Sequence, residues 1–205
     1  MRLKGCSKVW WLKVVFFHLS QCVYRKLQES GLQEQYKHDP EINIHARMIA
    51  ALALVPQDDA VAAFEQLAAV TPESLHTVLD YFEDNFIGRL TASGRRQSRF
   101  PLQLWSHYET VCQLEPKTTN SVEAWHRGFQ AHVQCSHPNI WKFLGVLQKE
   151  DTMTLHRLQR LEMGERTKPA KRYQDCARRL QVLAQEYQSD HVLRYLKGAA
   201  HNIEF

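Results

Sequence analysis

Apolar residues recur at helical spacing through almost the whole chain, and this periodicity restricts the fold more than any other feature. After His18, apolar side chains lie one helical turn apart at Leu19, Val23 and Leu27. Strand-like content is confined to residues 9–17. The 8 glycines and 7 prolines among 205 residues are too few for a loop-rich β-sandwich. The sequence therefore predicts a mainly α fold, with at most one strand near its start.

Prolines and capping residues divide the helical pattern into segments. Pro40 is predicted to begin a helix that Pro56 ends, and Asp58 or Asp59 is predicted to cap the next helix. Other helix starts are predicted at Thr71-Pro72, Leu102, Asn120 and His137-Pro138, with further helical stretches at 173–187 and 192–196.

A polar, basic segment without periodicity interrupts the helices at residues 88–99. It contains Arg95, Arg96 and Arg99, which are suited to contact phosphates. A solvated connector is the favoured interpretation, because tight binding of nucleic acid needs many phosphate contacts. The formal net charge of +4 permits nucleic-acid binding without arguing for it.

Cysteine usage and the N-terminal segment bear on the compartment. Five cysteines at long spacings do not form a secreted disulfide framework, and they are interpreted as reduced thiols. The apolar segment at residues 9–17 imitates a signal peptide, but Lys13 interrupts it and no small-residue cleavage site follows. We therefore expect a nuclear or cytoplasmic protein that is not secreted and has no membrane span.

Asn120-Ser121-Val122-Glu123 has two interpretations. In the first, Asn120 caps a helix and Glu123 reaches back to its amide, which stabilises the helix by about 1 kcal/mol. In the second, Glu123 is a carboxylate ligand of a divalent cation such as Mg²⁺. Spacing alone favours the capping box and identifies no partner ligands.

His126, His132, Cys135 and His137 form a short cluster of residue types that can bind zinc. Their order fits no standard spacing of zinc ligands, so a structural role is favoured, with Cys135 packed against its neighbours. The sequence contains no phosphate-binding glycine loop, nucleophile elbow or pair of cysteines two residues apart.

Four stretches together are more specific than any of these motifs. They are Gly5-Cys6 with residues 17–26 (FHLSQCVYRK), residues 100–105 (FPLQLW), residues 118–126 (TTNSVEAWH) and residues 135–143 (CSHPNIWKF). Together they resemble the C-terminal half of Mutator-like element (MULE) transposases, of the type found beside FLYWCH zinc fingers. The third stretch carries the resemblance furthest, because a similar segment holds the last catalytic acid of that family.

The resemblance implies part of an RNase H-like DDE transposase, in which two aspartates and one glutamate bind Mg²⁺ or Mn²⁺ for DNA cleavage and strand transfer. It makes Glu123 the third acid and its metal ligand. The family's motif residues match Cys6, His18, Asn120, Trp125 and His126. The implied organisation is a remnant of the RNase H-like core at 1–36, an all-α insertion at 37–113, the acid-bearing helix and its successor at 114–163, and a helical tail at 164–205. Most of the catalytic sheet would then be missing.

Two departures from the family bear on activity. Both family aspartates precede the Gly-Cys element, and this chain begins four residues before that element. A lone Glu123 cannot assemble a two-metal site, so no cofactor is expected for this chain alone. Removing residues 7–15 restores the family pattern, which suggests that these nine residues are an aberrant insert.

The leading hypothesis is a MULE-derived fragment that is inactive alone and retains weak DNA binding. The DNA-contact candidates are Arg95, Arg96, Arg99, Lys168, Lys171 and Arg172. An alternative is the C-terminal portion of an active metal-dependent transposase, in which Glu123 is catalytic. A second alternative is a domesticated helical protein-interaction module. No small-molecule substrate is expected.

Overall fold

The computed structural model describes the backbone of residues 6–113, 120–165 and 171–205, and the side chains of 16–113, 125–165, 171 and 174–205. Within this part of the chain, two compact units are formed. One comprises the described residues up to 113 together with 172–205, and the other comprises residues 120–165 with Lys171.

The described elements are helices apart from one very small hairpin. The helices are α1 (Cys6–Glu29), α2 (Gln33–His38), α3 (Pro40–Ala51), α4 (Ala60–Val70), α5 (His76–Phe82), α6 (Leu102–Trp105), α7 (Tyr108–Cys112), α8 (Asn120–Val133), α9 (Ile140–Glu162), α10 (Lys171–Gln185) and α11 (Val192–Ala200). The antiparallel strands are β1 (Leu90–Thr91) and β2 (Gly94–Arg95), with Leu90 opposite Arg95. Short 3₁₀ turns lie at Leu52–Leu54, Gln57–Asp59, Glu73–Leu75 and Ser189–His191, and a π-helical turn lies at Glu83–Ile87.

Helix α3 lies at the centre of the first unit. It contacts α1, α2, α4 and α11, and its residues from Met48 to Ala51 are all buried. Ala46, Ala50 and Ala51 are fully buried, and their small side chains allow neighbouring helices to approach α3 closely. The predicted mainly α fold is confirmed, whereas the relation to an RNase H-like fold stays a prediction.

The start of α3 follows directly from its sequence. Asp39 Oδ1 accepts hydrogen bonds from the backbone N–H groups of Glu41 (2.8 Å) and Ile42 (3.4 Å), and Pro40 occupies the first turn. Two other predicted caps are wrong. Asp59 makes no side-chain capping bond, and the Thr71 hydroxyl donates back to the carbonyl of Leu67 (2.7 Å) because it lies at the end of α4.

The strand considered for residues 9–17 is also wrong. These residues belong to α1, a helix of 24 residues that begins at Cys6 and continues through the buried positions Leu19, Val23 and Leu27. Aromatic and β-branched residues favour strands only weakly, and their neighbours in the chain decide the outcome. The proposed insert at 7–15 is therefore helical in backbone, and its origin stays a prediction.

No helix in the described part of the chain is long and apolar enough to cross a membrane.

The second unit is a pair of helices, α8 and α9. The rings of Phe129 and Phe143 meet edge to face with centroids 5.7 Å apart, and the side chain of Val146 is buried. The His132 ring nitrogen Nδ1 lies 2.5 Å from Oε1 of Glu150, a carboxylate that is only 11% exposed. A helix start was predicted at His137-Pro138, and the helix begins two residues after Pro138, at Ile140. Asn139 caps it, because its side chain accepts a hydrogen bond from the N–H of Lys142 (2.8 Å).

Tyr195 joins α11 to the turn that follows α3, and this contact makes the stability of the first unit sensitive to alkaline pH. Its hydroxyl donates to the carbonyl oxygen of Leu54, and burial raises the pKa of the phenol above its ordinary value of 10.0. The unfolded chain then ionises first, so stability is complete below pH 10 and falls as the pH rises further, by up to about 1.4 kcal/mol per pH unit.

Urea unfolding at a series of pH values above 9 checks this expectation, with Tyr195→Phe as the comparison. Burial and the neighbouring Asp59 also raise the pKa of Tyr187, so part of the fall remains in the variant. We expect the free energy of unfolding to fall less steeply in Tyr195→Phe. Equal slopes for the two proteins would show that Tyr195 does not control this dependence.

Candidate nucleic-acid interface

The basic segment found in the sequence forms a loop on the first unit, between the π-helical turn Glu83–Ile87 and α6. We call residues 88–101 the arginine loop. Its backbone is tied at both ends: the N–H of Arg96 donates to the carbonyl of Arg89 (2.9 Å), and that of Phe100 donates to Asn85 (2.8 Å). The indole N–H of buried Trp105 lies 3.2 Å from the carbonyl oxygens of both Phe86 and Phe100. These backbone bonds and the indole of Trp105 anchor the loop to the first unit.

Gly88 permits the hydrogen bond between the Arg96 N–H and the Arg89 carbonyl. It has a φ of +91°, and a Cβ atom placed on it would lie 1.9 Å from the carbonyl oxygen of Arg96. The backbone of the returning strand passes directly over this position, so only glycine fits there.

Arg95 was predicted to contact DNA, but its guanidinium is engaged within the protein. It lies 2.8 Å from a carboxylate oxygen of Glu83, 2.5 Å from Glu65 and 2.6 Å from the carbonyl oxygen of Gly88. The Arg95 side chain is only 17% exposed. These contacts give Arg95 a role in fixing the hairpin, with little of its guanidinium left for a phosphate.

Arg96 and Arg99 remain exposed, and they line a shallow depression of about 390 Å³ with Arg89, Gln97 and Asp84. Arg89 is paired with Asp84 at 2.8 Å. The Arg99 guanidinium lies over the Phe100 ring, 5.4 Å from its centroid. Arg96 makes no ion pair with any residue that the structure describes. Arg89 also lies 3.7 Å from a second carboxylate, that of Asp80. Arg96 and Arg99 are therefore the guanidinium groups of this depression that can attract an anion.

The remaining basic candidates are not part of the arginine loop. Lys171 is exposed at the start of α10. Lys168 lies outside the described residues, and so does the side chain of Arg172. The structure thus brings together Arg96 and Arg99 with Arg89 and Gln97. Arg89 and Gln97 were not predicted. Arg89 could have been included, because it follows Gly88 at the start of the same basic segment.

The residues carried over from the transposase family are described only in part. Asn120 and Glu123 lie in the backbone of α8, but their side chains lie outside the described residues, so neither the capping box nor the metal ligand is tested. Trp125 is partly exposed and stacks on Phe129, with centroids 5.3 Å apart. His126 follows it, with its ring centroid 5.2 Å from that of Trp125.

Of Cys6 and His18, only His18 has a side chain among the described residues. The backbone of Cys6 begins α1, whereas its side chain lies outside the described residues. His18 is exposed on the same helix. No group of three His, Cys, Asp or Glu side chains in the described part of the chain could hold a metal ion. We assign no Mg²⁺ or Mn²⁺ site, and the metal implied by the resemblance stays a prediction.

The histidine and cysteine cluster is spread over the second unit. His132 contacts Glu150, and Cys135 lies 3.6 Å from Nζ of Lys142. The predicted packing of Cys135 is wrong, since its side chain is exposed in the connection between α8 and α9.

Comparison of the chain with protein-family models, with curated proteins and with solved structures finds no match. The family relationship therefore continues to depend on the sequence motifs alone.

Proposed function

We propose that this chain derives from a MULE transposase and binds DNA without cleaving it by itself. The family part of the proposal is supported by the motif at residues 118–126. The DNA-binding part is carried by one observation: the arginine loop holds Arg96 and Arg99 exposed on a backbone that Gly88 and Trp105 fix in place.

The electrostatics of the loop define the kind of binding. A guanidinium donates paired hydrogen bonds to phosphate oxygens, and these contacts carry no base sequence information. Two or three such contacts give weak binding that depends strongly on salt. Because the loop is already ordered by its own hydrogen bonds, little conformational entropy is lost when DNA binds.

Fluorescence anisotropy with a short labelled DNA duplex tests this interface. The logarithm of the binding constant should fall linearly with the logarithm of salt concentration, by about 0.9 for each phosphate contact. The double variant Arg96→Ala, Arg99→Ala should bind more weakly and lower that slope by about 2. The matched control is Arg25→Ala, Arg194→Ala, which removes the same charge from two exposed positions outside the loop.

Two results would contradict the proposal. Equal weakening by both double variants would mean that only net charge matters and that the arginine loop is not the interface. Nicking of the duplex by the purified chain in Mg²⁺ or Mn²⁺, abolished by Glu123→Gln, would contradict the absence of cleavage. That second result would favour the active portion of a transposase.

A second candidate function is supported by a different surface. Helix α9 exposes many large apolar side chains, including Trp141 at 79% and Ile140 at 60%. Monomeric proteins rarely expose a continuous apolar surface of this length, and such surfaces are typical of protein–protein interfaces. This observation favours a helical protein-interaction module.

A further inference from the structure

Helix α9 carries a regular apolar stripe. Ile140, Leu144, Leu147, Leu158 and Leu161 are between 40% and 60% exposed. Together with Asp151 and Thr154, they follow each other at alternating steps of four and three residues. This is the heptad spacing of a coiled coil, sustained over the 23 residues of α9, with Asp151 and Thr154 as the two polar positions at its centre.

Helix α8 does not cover the stripe. It packs on a neighbouring face of α9, where Val146 and Glu150 are buried and Phe143 meets Phe129. The heptad spacing is therefore not explained by the packing of α8 on α9 within the second unit.

The stripe matches itself when a second α9 runs in the opposite direction. With a two-fold axis midway between residues 152 and 153, Leu144 lies opposite Leu161 of the other copy, and Leu147 lies opposite Leu158. The same register places Asp151 opposite Thr154, so the polar residues meet each other and the four leucines meet leucines. Ile140 lies outside the paired segment, because its opposite position, 165, is beyond the end of α9. Such central polar positions specify register in coiled coils.

The charges beside the stripe agree with this arrangement. In the same register Arg157 of one copy lies one helical turn from the position opposite Asp151 of the other, and the symmetry forms this contact twice. Neither Asp151 nor Arg157 has an ion-pair partner among the residues whose side chains are described. A parallel arrangement would instead place Asp151 against Asp151, which is unfavourable.

We infer that α9 pairs with α9 of a second copy of this chain, antiparallel and in this register. The inference rests on the second candidate function, for which it names the partner, and it is independent of DNA binding by the arginine loop.

Sedimentation velocity of the full chain over a range of concentrations tests the pairing. We expect a reversible dimer. Leu147→Glu, Leu158→Glu should weaken dimerisation more than about a hundredfold, since it places unpaired charges in the apolar layers. The control is Met153→Glu, on the same helix and 44% exposed but outside the stripe, which should leave the dimer unchanged. Circular dichroism confirms that each variant is folded.

Cross-linking tests the register. In a Cys135→Ser background, Asp151→Cys with Thr154→Cys should form a disulfide between residues 151 and 154 of different copies on mild oxidation, identified by mass spectrometry of the linked peptides. Thr154→Cys alone should not cross-link. A 154–154 disulfide would instead indicate a parallel pair.

The charge contact has its own test. Asp151→Arg should weaken the dimer, and the added change Arg157→Asp should restore it. A chain that stays monomeric at all concentrations, or equal dimerisation by the leucine variants and the wild type, overturns the inference. DNA binding is measured in a separate assay, by fluorescence anisotropy. A monomer that still binds the duplex would therefore overturn only the pairing of α9.

Discussion

Replacing Gly88 with alanine is expected to lower the free energy of unfolding by about 3 kcal/mol or more and to disorder the arginine loop. The new Cβ would lie 1.9 Å from the Arg96 carbonyl oxygen and 3.1 Å from the backbone nitrogen of Ser98. Both neighbours are backbone atoms, so no side chain can move aside to relieve the overlap. The φ of +91° adds strain for any residue with a Cβ.

Gly31→Ala separates the two contributions. Gly31 also has a positive φ, of +72°, but a Cβ placed there would have no atom within 4 Å. This variant should lose only about 1 kcal/mol, which is the cost of the left-handed backbone alone. Urea unfolding of both variants gives the comparison, and equal losses would show that the contact with Arg96 is not what requires glycine at position 88.

Trp105→Ala should cost about 3–5 kcal/mol, the range measured for removing a large aromatic side chain from a core. Trp105 is fully buried and meets the rings of Phe82 and Phe86 edge to face. Its indole N–H also lies 3.2 Å from the carbonyl oxygens of Phe86, two residues before the arginine loop, and of Phe100, near the end of the loop. The substitution therefore leaves a cavity and removes the indole donor from the buried carbonyl of Phe86, whereas the carbonyl of Phe100 keeps its bond from the Ser98 hydroxyl (2.9 Å).

Trp105→Phe distinguishes packing from hydrogen bonding. It retains most of the apolar volume and removes the donor, so a loss of about 1–3 kcal/mol is expected. Chemical unfolding measures stability, and the DNA anisotropy assay reports on the loop. If Trp105→Phe is as stable as the wild type and binds DNA equally well, the indole N–H has no part in holding the loop.

The rules for capping residues and proline predicted helix starts correctly where both signals lie within one turn of the helix. Pro40 begins α3 because Asp39 precedes it, and both residues act within one turn of helix. The same rules failed at Thr71, whose hydroxyl bonds backward to Leu67. Both bonds suit a threonine at this position, and the local sequence does not decide between them.

The candidate interface was predictable in composition but not in geometry. The sequence marked residues 88–99 as an exposed basic segment, with a solvated connector favoured over a phosphate-contacting loop, and Arg96 and Arg99 are exposed. Arg95 could not be separated from them, because its partner Glu65 is 30 residues away in sequence and reaches it only through the tertiary fold. The short pattern of residues 118–126 carries the family resemblance, and no contact in the fold was needed to find it.

The hydrogen bond from Tyr195 to Leu54 joins residues 141 positions apart, and α11 packs on α3 over the same interval. During synthesis, residues 52–191 are therefore made after α3 and before α11, its last neighbour in the chain. In that interval the face of α3 that α11 later covers is exposed to water or to a chaperone. Contacts so distant in sequence also slow closure of the core, so we expect the first unit to fold late, after α11 has left the ribosome.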